Sequence, residues 1–177
     1  MKDRIEIVAS GFGGQGVVRL GQIIGEAGVK QGLRVAMLKS HGTEMRGGYV
    51  RSQVVLSKDV IDSPMCESPD YFIALSSAAY KRFKDTVPDD GVIFYDPAFV
   101  EEIDENLKCT QKSVPAKELS VQNFDNPLFA NTVVLGVVAR AVDALDKDVV
   151  LESTLAVIPK FHERNRKAFH IGYEYTS

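Results

Sequence analysis

Residues able to do chemistry concentrate in two glycine-bearing stretches. Gly11-Phe12-Gly13-Gly14-Gln15-Gly16 comes first, and His41-Gly42-Thr43-Glu44-Met45-Arg46-Gly47-Gly48 follows. Glycine admits positive φ and has no Cβ, so backbone amides at such turns can face outward into a concavity that attracts an anion or a partner's carboxylate. Gly11, Gly13 and Gly16 satisfy the G-x-G-x-x-G spacing of a dinucleotide turn. That fold also asks for a carboxylate at the end of the second strand, to hold the ribose hydroxyls. Leu38-Lys39-Ser40-His41 stands there instead, and the first acid is Glu44. NAD is disfavoured on this count, whereas Lys39 suits a 2′-phosphate and leaves a free-standing NADP-dependent reductase as a second reading. In the later stretch Arg46 offers a planar fork of donors for carboxylate or phosphate, and Gly47 and Gly48 let a ligand or chain come close. Two roles stay open for Arg46: an internal brace to Glu44 or to backbone, and a contact with an anion or partner.

Other site chemistries find no support. His41, His162 and His170 show no metal-ligand spacing with acids or cysteines, and neither a G-x-S-x-G elbow nor a G-x-x-x-x-G-K-[ST] loop occurs. Cys66 and Cys109 are far apart and outside any C-x-x-C spacing, which excludes a disulfide scaffold, a four-cysteine zinc site or an iron–sulfur cluster held by this chain alone. A net charge of −3 argues against a dedicated nucleic-acid binder. The apolar stretch from Pro127 to Leu145 is broken by Asn131, Arg140 and Asp143, so it reads as a buried helix and not a membrane span. With no apolar signal segment ahead of the first strand, a cytoplasmic location is expected.

The two stretches need a scaffold. Arg4–Ser10 reads as a strand, apolar enough to be covered on both faces, and residues 16–31 as a helix with Val17, Leu20, Ile24 and Ala27 in one stripe. Gly21, Gly25 and Gly28 on that helix call for close approach, either by the sheet or by a partner subunit; Gly32 suits its C-terminal stop. Strands are predicted over 34–40, 49–56, 71–75, 92–95 and, at an edge, 108–114, with Val60-Ile61 as a short hairpin return. The glycine stretches then leave the carboxyl ends of neighbouring strands, the ligand edge of an open α/β sheet. Further helices are predicted from Ser76-Ser77 to about Lys84, over 116–121, 128–145 and 148–161, with 164–177 as a tail. No linker divides the chain, so residues 1–177 read as one α/β domain, a three-layer α/β/α sandwich with a mixed, mostly parallel, Rossmann-like sheet.

Three motifs in order carry a resemblance to a known family. Gly11 to Val17 resembles a G-x-G-G-Q-G-V turn, His41 to Gly48 a (Y/H)-G-x-E-x-R-G-G loop, and Asn131 to Gly136 an Asn-x-x-x-x-Gly step, as found in gamma subunits of 2-oxoacid:ferredoxin oxidoreductases. Ile61-Asp62-Ser63-Pro64, Pro69-Asp70 and Asn165 to Gly172 agree with it, so the resemblance spans nearly the whole chain. It implies a complex that oxidatively decarboxylates a 2-oxoacid to an acyl-CoA and passes the electrons to ferredoxin. The resemblance places thiamine diphosphate, magnesium and 4Fe-4S clusters on alpha, beta and ferredoxin-like delta companions. This chain's share is then assembly and, by hypothesis, part of a coenzyme A site built from Gly11, Gly13, Gly14, Gln15, Gly16, His41, Gly42, Glu44, Arg46, Gly47, Gly48 and Asn131, with no catalytic residue of its own. Gly11-Phe12-Gly13-Gly14 and Ile61-Asp62 are similar to the 2-oxoglutarate branch, while His41-Gly42 is similar to the aryl-pyruvate branch. Isolated from its companions, such a chain could cover its apolar faces as a homodimer.

Overall fold

The computed structural model describes residues 2–41 and 49–176. Gly42, Glu44, Arg46, Gly47 and Gly48 lie outside the described residues, as does the side chain of His41. Six strands, β1 (Arg4–Phe12), β2 (Arg34–His41), β3 (Tyr49–Ser57), β4 (Tyr71–Ala74), β5 (Val92–Tyr95) and β6 (Thr110–Ser113), form one sheet in the order β2-β3-β1-β4-β5-β6. β1, β4, β5 and β6 pair in parallel, and β3 runs antiparallel to both of its neighbours, β1 and β2. The sheet is therefore mixed with only one strand reversed, as expected.

The reversal corrects one expectation. The seven residues between β2 and β3 are too few for a crossover helix, so β3 returns antiparallel beside β2 and inserts between it and β1. β1 and β2 are not neighbours, although both end at the same edge. Filling both sides of β3 also explains why Val60-Ile61 forms no hairpin return: the strand has no free edge to offer. The chain leaves the sheet there, Val60 is 68% exposed, and the following segment is tied to β1 by the Arg4 guanidinium, which donates to the carbonyls of Ser63 and Met65.

Helices α1 (Val17–Lys30), α3 (Ala116–Phe124), α4 (Ala130–Ala141), α5 (Lys147–Val157) and α6 (His162–Glu174) cover one face, and α2 (Ser77–Phe83) with irregular chain covers the other. Strand alternation divides the core accordingly. Ile5, Ile7, Ala9, Val54, Leu56, Ile73 and Phe94 pack under the five helices, while Val8, Val55, Phe72, Ala74 and Ile93 pack under α2 with Tyr80 and Phe83. The glycines of α1 serve this packing: a Cβ on Gly21 would run into Ser52 and Met37, and one on Gly28 into Leu56 and Val35. That is the sheet-packing role, with β3 and β2 as the close neighbours. Ser76 caps α2 by accepting from the Ala79 amide at 3.1 Å, as its position suggested.

Two helical expectations need correction. The predicted 128–145 helix is a 3-10 turn over Pro127–Phe129, capped by the Asn126 side chain, followed by α4 and a stop at Ala141. Val142, Ala144 and Leu145 stay buried in the turn beyond, so the apolar pattern outlasts the helix. The predicted tail at 164–177 is mostly helix α6, and the preceding helix ends at Val157. Asn165, Ala168, Phe169 and Gly172 line its buried stripe at three- and four-residue spacing, inside an otherwise charged segment.

Cys66 and Cys109 are both buried and free. Burial pushes the Cys66 thiol up to about 12 and raises Cys109 as well. Both thiols should remain protonated and slow at mildly alkaline pH. A disulfide-exchange titration is expected to release two thiols per chain only after denaturant is added, and a fast-reacting thiol in the native chain would contradict this packing.

Candidate functional site

At the edge where β1, β4 and β5 end, the chain after β1 makes a tight turn into α1. β1 runs on to Phe12, so Gly11 lies within the strand, opposite Val50, and the turn itself is Gly13–Gly16. Gly14 and Gly16 take left-handed φ of +86° and +72°. Gln15 locks the turn. Its Oε1 accepts from the Phe12 amide at 2.6 Å and its Nε2 donates to the Leu75 carbonyl at 2.7 Å, tying the turn to the end of β4.

The glycines of the fingerprint divide into two kinds. A Cβ on Gly11 would meet the Gln15 side chain and Leu75, and one on Gly16 would meet the Asn131 amide. Asn131, at the start of α4, donates to the Gln15 carbonyl and so closes the turn from above. Gly11, Gln15, Gly16 and Asn131 are thus brought together, and their demands on one another are internal. Gly13 differs. It has no positive φ, and nothing among the described residues lies within 4 Å of where its Cβ would be. The fold around it gives no reason for glycine, whereas an approaching body would.

A cleft of about 400 Å³ opens beside the turn, lined by Gly14, Gly16, Arg19, Leu75, Asp96 and Asn131 among others. Sequence reasoning passed over Arg19 and Asp96. Arg19 sits in the first turn of α1, exposed, where no acidic residue stands and no side chain among the described residues caps the helix. Asp96 ends β5 and is 3% exposed. Its carboxylate accepts from the amides of Ala98 at 2.9 Å and Lys117 at 2.8 Å, so it stitches β5 to the start of α3. Burial outweighs those donors and holds its carboxyl above the ordinary aspartate value. Both residues carried a readable signal, a cation just after a glycine turn and a carboxylate just after a parallel strand.

The second glycine stretch starts and ends at this edge: His41 pairs with Val50, and Tyr49 with Phe12. Both stretches therefore issue from one side of the sheet, with Arg46 outside the described residues. This order removes the ribose position of a dinucleotide fold. The strand beside β1 is β3, and Lys39 lies opposite Ser52 on β2, two strand spacings or about 10 Å from β1. What the edge does offer is a positive helix end, first-turn amides that no side chain among the described residues caps, and Arg19. That donor set fits a phosphate or carboxylate.

Residues 6–175 match the family model described as pyruvate ferredoxin/flavodoxin oxidoreductase. The chain belongs to that family. Within it the likeness is to gamma-type chains. A 2-oxoglutarate synthase subunit, KorC, of Methanocaldococcus jannaschii is 35% identical over 98% of this chain and 95% of its own length. Among solved structures, the gamma subunit of a keto/oxoacid ferredoxin oxidoreductase from Geobacter sulfurreducens superposes with a TM-score of 0.85 at 27% identity, covering 96% of each chain. The fold also recurs, with a TM-score of 0.87 at 24% identity, in 2-oxoglutarate:ferredoxin oxidoreductase from Magnetococcus marinus, solved with 2-oxoglutarate, coenzyme A and succinyl-CoA; there the match takes in 98% of this chain and 31% of that one. Among the described residues no helix is long and apolar enough to cross a membrane.

Proposed function

We propose that the chain is the gamma subunit of a 2-oxoglutarate:ferredoxin oxidoreductase, forming one gamma-type domain over residues 1–177. In this reading it works in the cytoplasm with alpha, beta and ferredoxin-like delta companions. Those companions hold thiamine diphosphate, magnesium and 4Fe-4S clusters, decarboxylate the 2-oxoacid and reduce ferredoxin. The observation that carries the reading is full-length similarity to a 2-oxoglutarate synthase subunit, joined to a fold shared, over 96% of each chain, with the gamma subunit of a keto/oxoacid ferredoxin oxidoreductase. The catalytic residues lie elsewhere, and this chain supplies assembly and an anion-receiving edge.

That edge is proposed to take the phosphates of coenzyme A. Gly13 and Gly14 leave room for the ligand, the first turn of α1 and Arg19 supply donors, and Arg46, which lies outside the described residues, is proposed to add a further one. Gly11, Gln15, Gly16 and Asn131 set the shape. The test is Arg46→Ala in the assembled complex. Loss of a charge-assisted contact of about 1.5–3 kcal/mol raises the KM for coenzyme A by about 10- to 150-fold, while subunit composition on gel filtration stays intact. An unchanged KM with intact assembly removes Arg46 from the site, and micromolar binding of NADPH by the isolated chain would favour the reductase reading instead.

A further inference from the structure

We infer that a second groove, around the corner from the glycine turn, receives an acidic polypeptide segment with an apolar anchor from a companion subunit; the inference rests on the gamma-subunit reading. The groove has a volume of about 330 Å³ and lies between the start of α4 and residues 158–161. Leu128, Phe129 and Phe161 give it apolar walls, and Arg19 and Lys160 give it cations.

Phe161 is the first reason. It stands just before α6 with φ +58° and ψ +43°, a left-handed conformation that opposes any residue with a Cβ. A buried asparagine keeps it there: Asn165, 3% exposed, donates to the carbonyls of Lys160 at 3.0 Å and Phe161 at 3.1 Å, and accepts from the Thr132 hydroxyl at 2.8 Å. The outcome of that bracing is an aromatic ring left 55% exposed, touching its own chain edge-to-face at Phe129 with ring centroids 6.1 Å apart. Leu128, on the same groove, is 60% exposed. A strained backbone that displays an apolar ring is better explained by a body arriving from outside than by this chain's own packing.

Charge selects the arriving body. Arg19 and Lys160 form no ion pair with any described residue. From Ile158 to Lys167 the chain carries Lys160, Arg164, Arg166 and Lys167 against Glu163 alone, in a protein whose net charge is −3. Apolar walls flanked by cations complement an acidic segment bearing one apolar anchor. A second copy is disfavoured, since a two-fold contact through this patch would set cation against cation.

The experiment measures binding of the full chain to the remaining subunits of the complex. Phe161→Gly removes the anchor contact while suiting the positive φ, so the isolated chain should keep its melting temperature to within about 3 °C and bind its companions at least about tenfold more weakly. Lys160→Glu should weaken binding about fivefold and flatten its salt dependence. Wild-type affinity in both variants overturns the proposal while leaving the gamma reading intact. So does a change in self-association by sedimentation with subunit affinity unaltered. Failure of the wild-type chain to bind the companions at all removes both readings.

Discussion

Gly172→Ala is expected to destabilise the chain by at least about 3 kcal/mol, the upper range for overpacking, and to lower the thermal midpoint by roughly 6–12 °C for a domain of this size. The cause is the crossing of α4 and α6. A Cβ on Gly172 would be driven into the backbone of Val133, and one on Gly136 into the backbone of Phe169 and Tyr173. Two helix backbones meet there without a side chain between them, so no rotamer change can make room and the helices must part. Their separation would unpack Phe169, Ala168 and Val133, all with no measurable exposure. A melting curve within 2–3 °C of wild type would show that the crossing is looser than described, about 1 kcal/mol or less by the same scaling.

The second large effect is at the turn. Gly16→Ala forces a Cβ onto φ +72° and into the Asn131 amide that closes the turn. Left-handed strain of about 1–2 kcal/mol adds to the loss of a hydrogen bond of about 1 kcal/mol, for a total of about 2–3 kcal/mol. The two terms are coupled. In the double variant with Asn131→Ala the amide is gone and space opens, so the combined loss should fall short of the sum of the single losses by about 1 kcal/mol. Gly13→Ala is the contrast. With open space and no positive φ it should melt like wild type, yet weaken whatever docks on the turn. Simple additivity in the double variant would mean that Asn131 does not seal the turn.

Much of this was legible from residue types. A mixed sheet is expected from a β–turn–β run through Ser57-Lys58-Asp59 into Val60-Ile61, yet that return does not form and the reversed strand is β3 itself; the ends of α1 were legible from Gly16 and Gly32. Strand order was not legible, because which side of β2 the returning β3 takes depends on the whole sheet, and that choice decides whether a ribose position exists. α6 was missed since Arg164, Arg166 and Lys167 mask a stripe of only four buried residues, two of them Asn165 and Gly172. The spacing of the glycine turn marks it as a candidate site. Its division into internal glycines, Gly11 and Gly16, and an outward one, Gly13, needed the positions of Asn131, Gln15 and Leu75.

The central claim is that this chain acts as a working part of a larger oxidoreductase and not as a reductase by itself. The most direct measurement reconstitutes the proposed alpha, beta and delta-type companions with and without it and follows ferredoxin reduction on 2-oxoglutarate and coenzyme A. Addition of the chain is predicted to form a stoichiometric complex and to raise the coenzyme A-dependent rate at least about tenfold, the equivalent of about 1.4 kcal/mol. Full activity in its absence, or NADPH oxidation by the chain alone, would contradict the account.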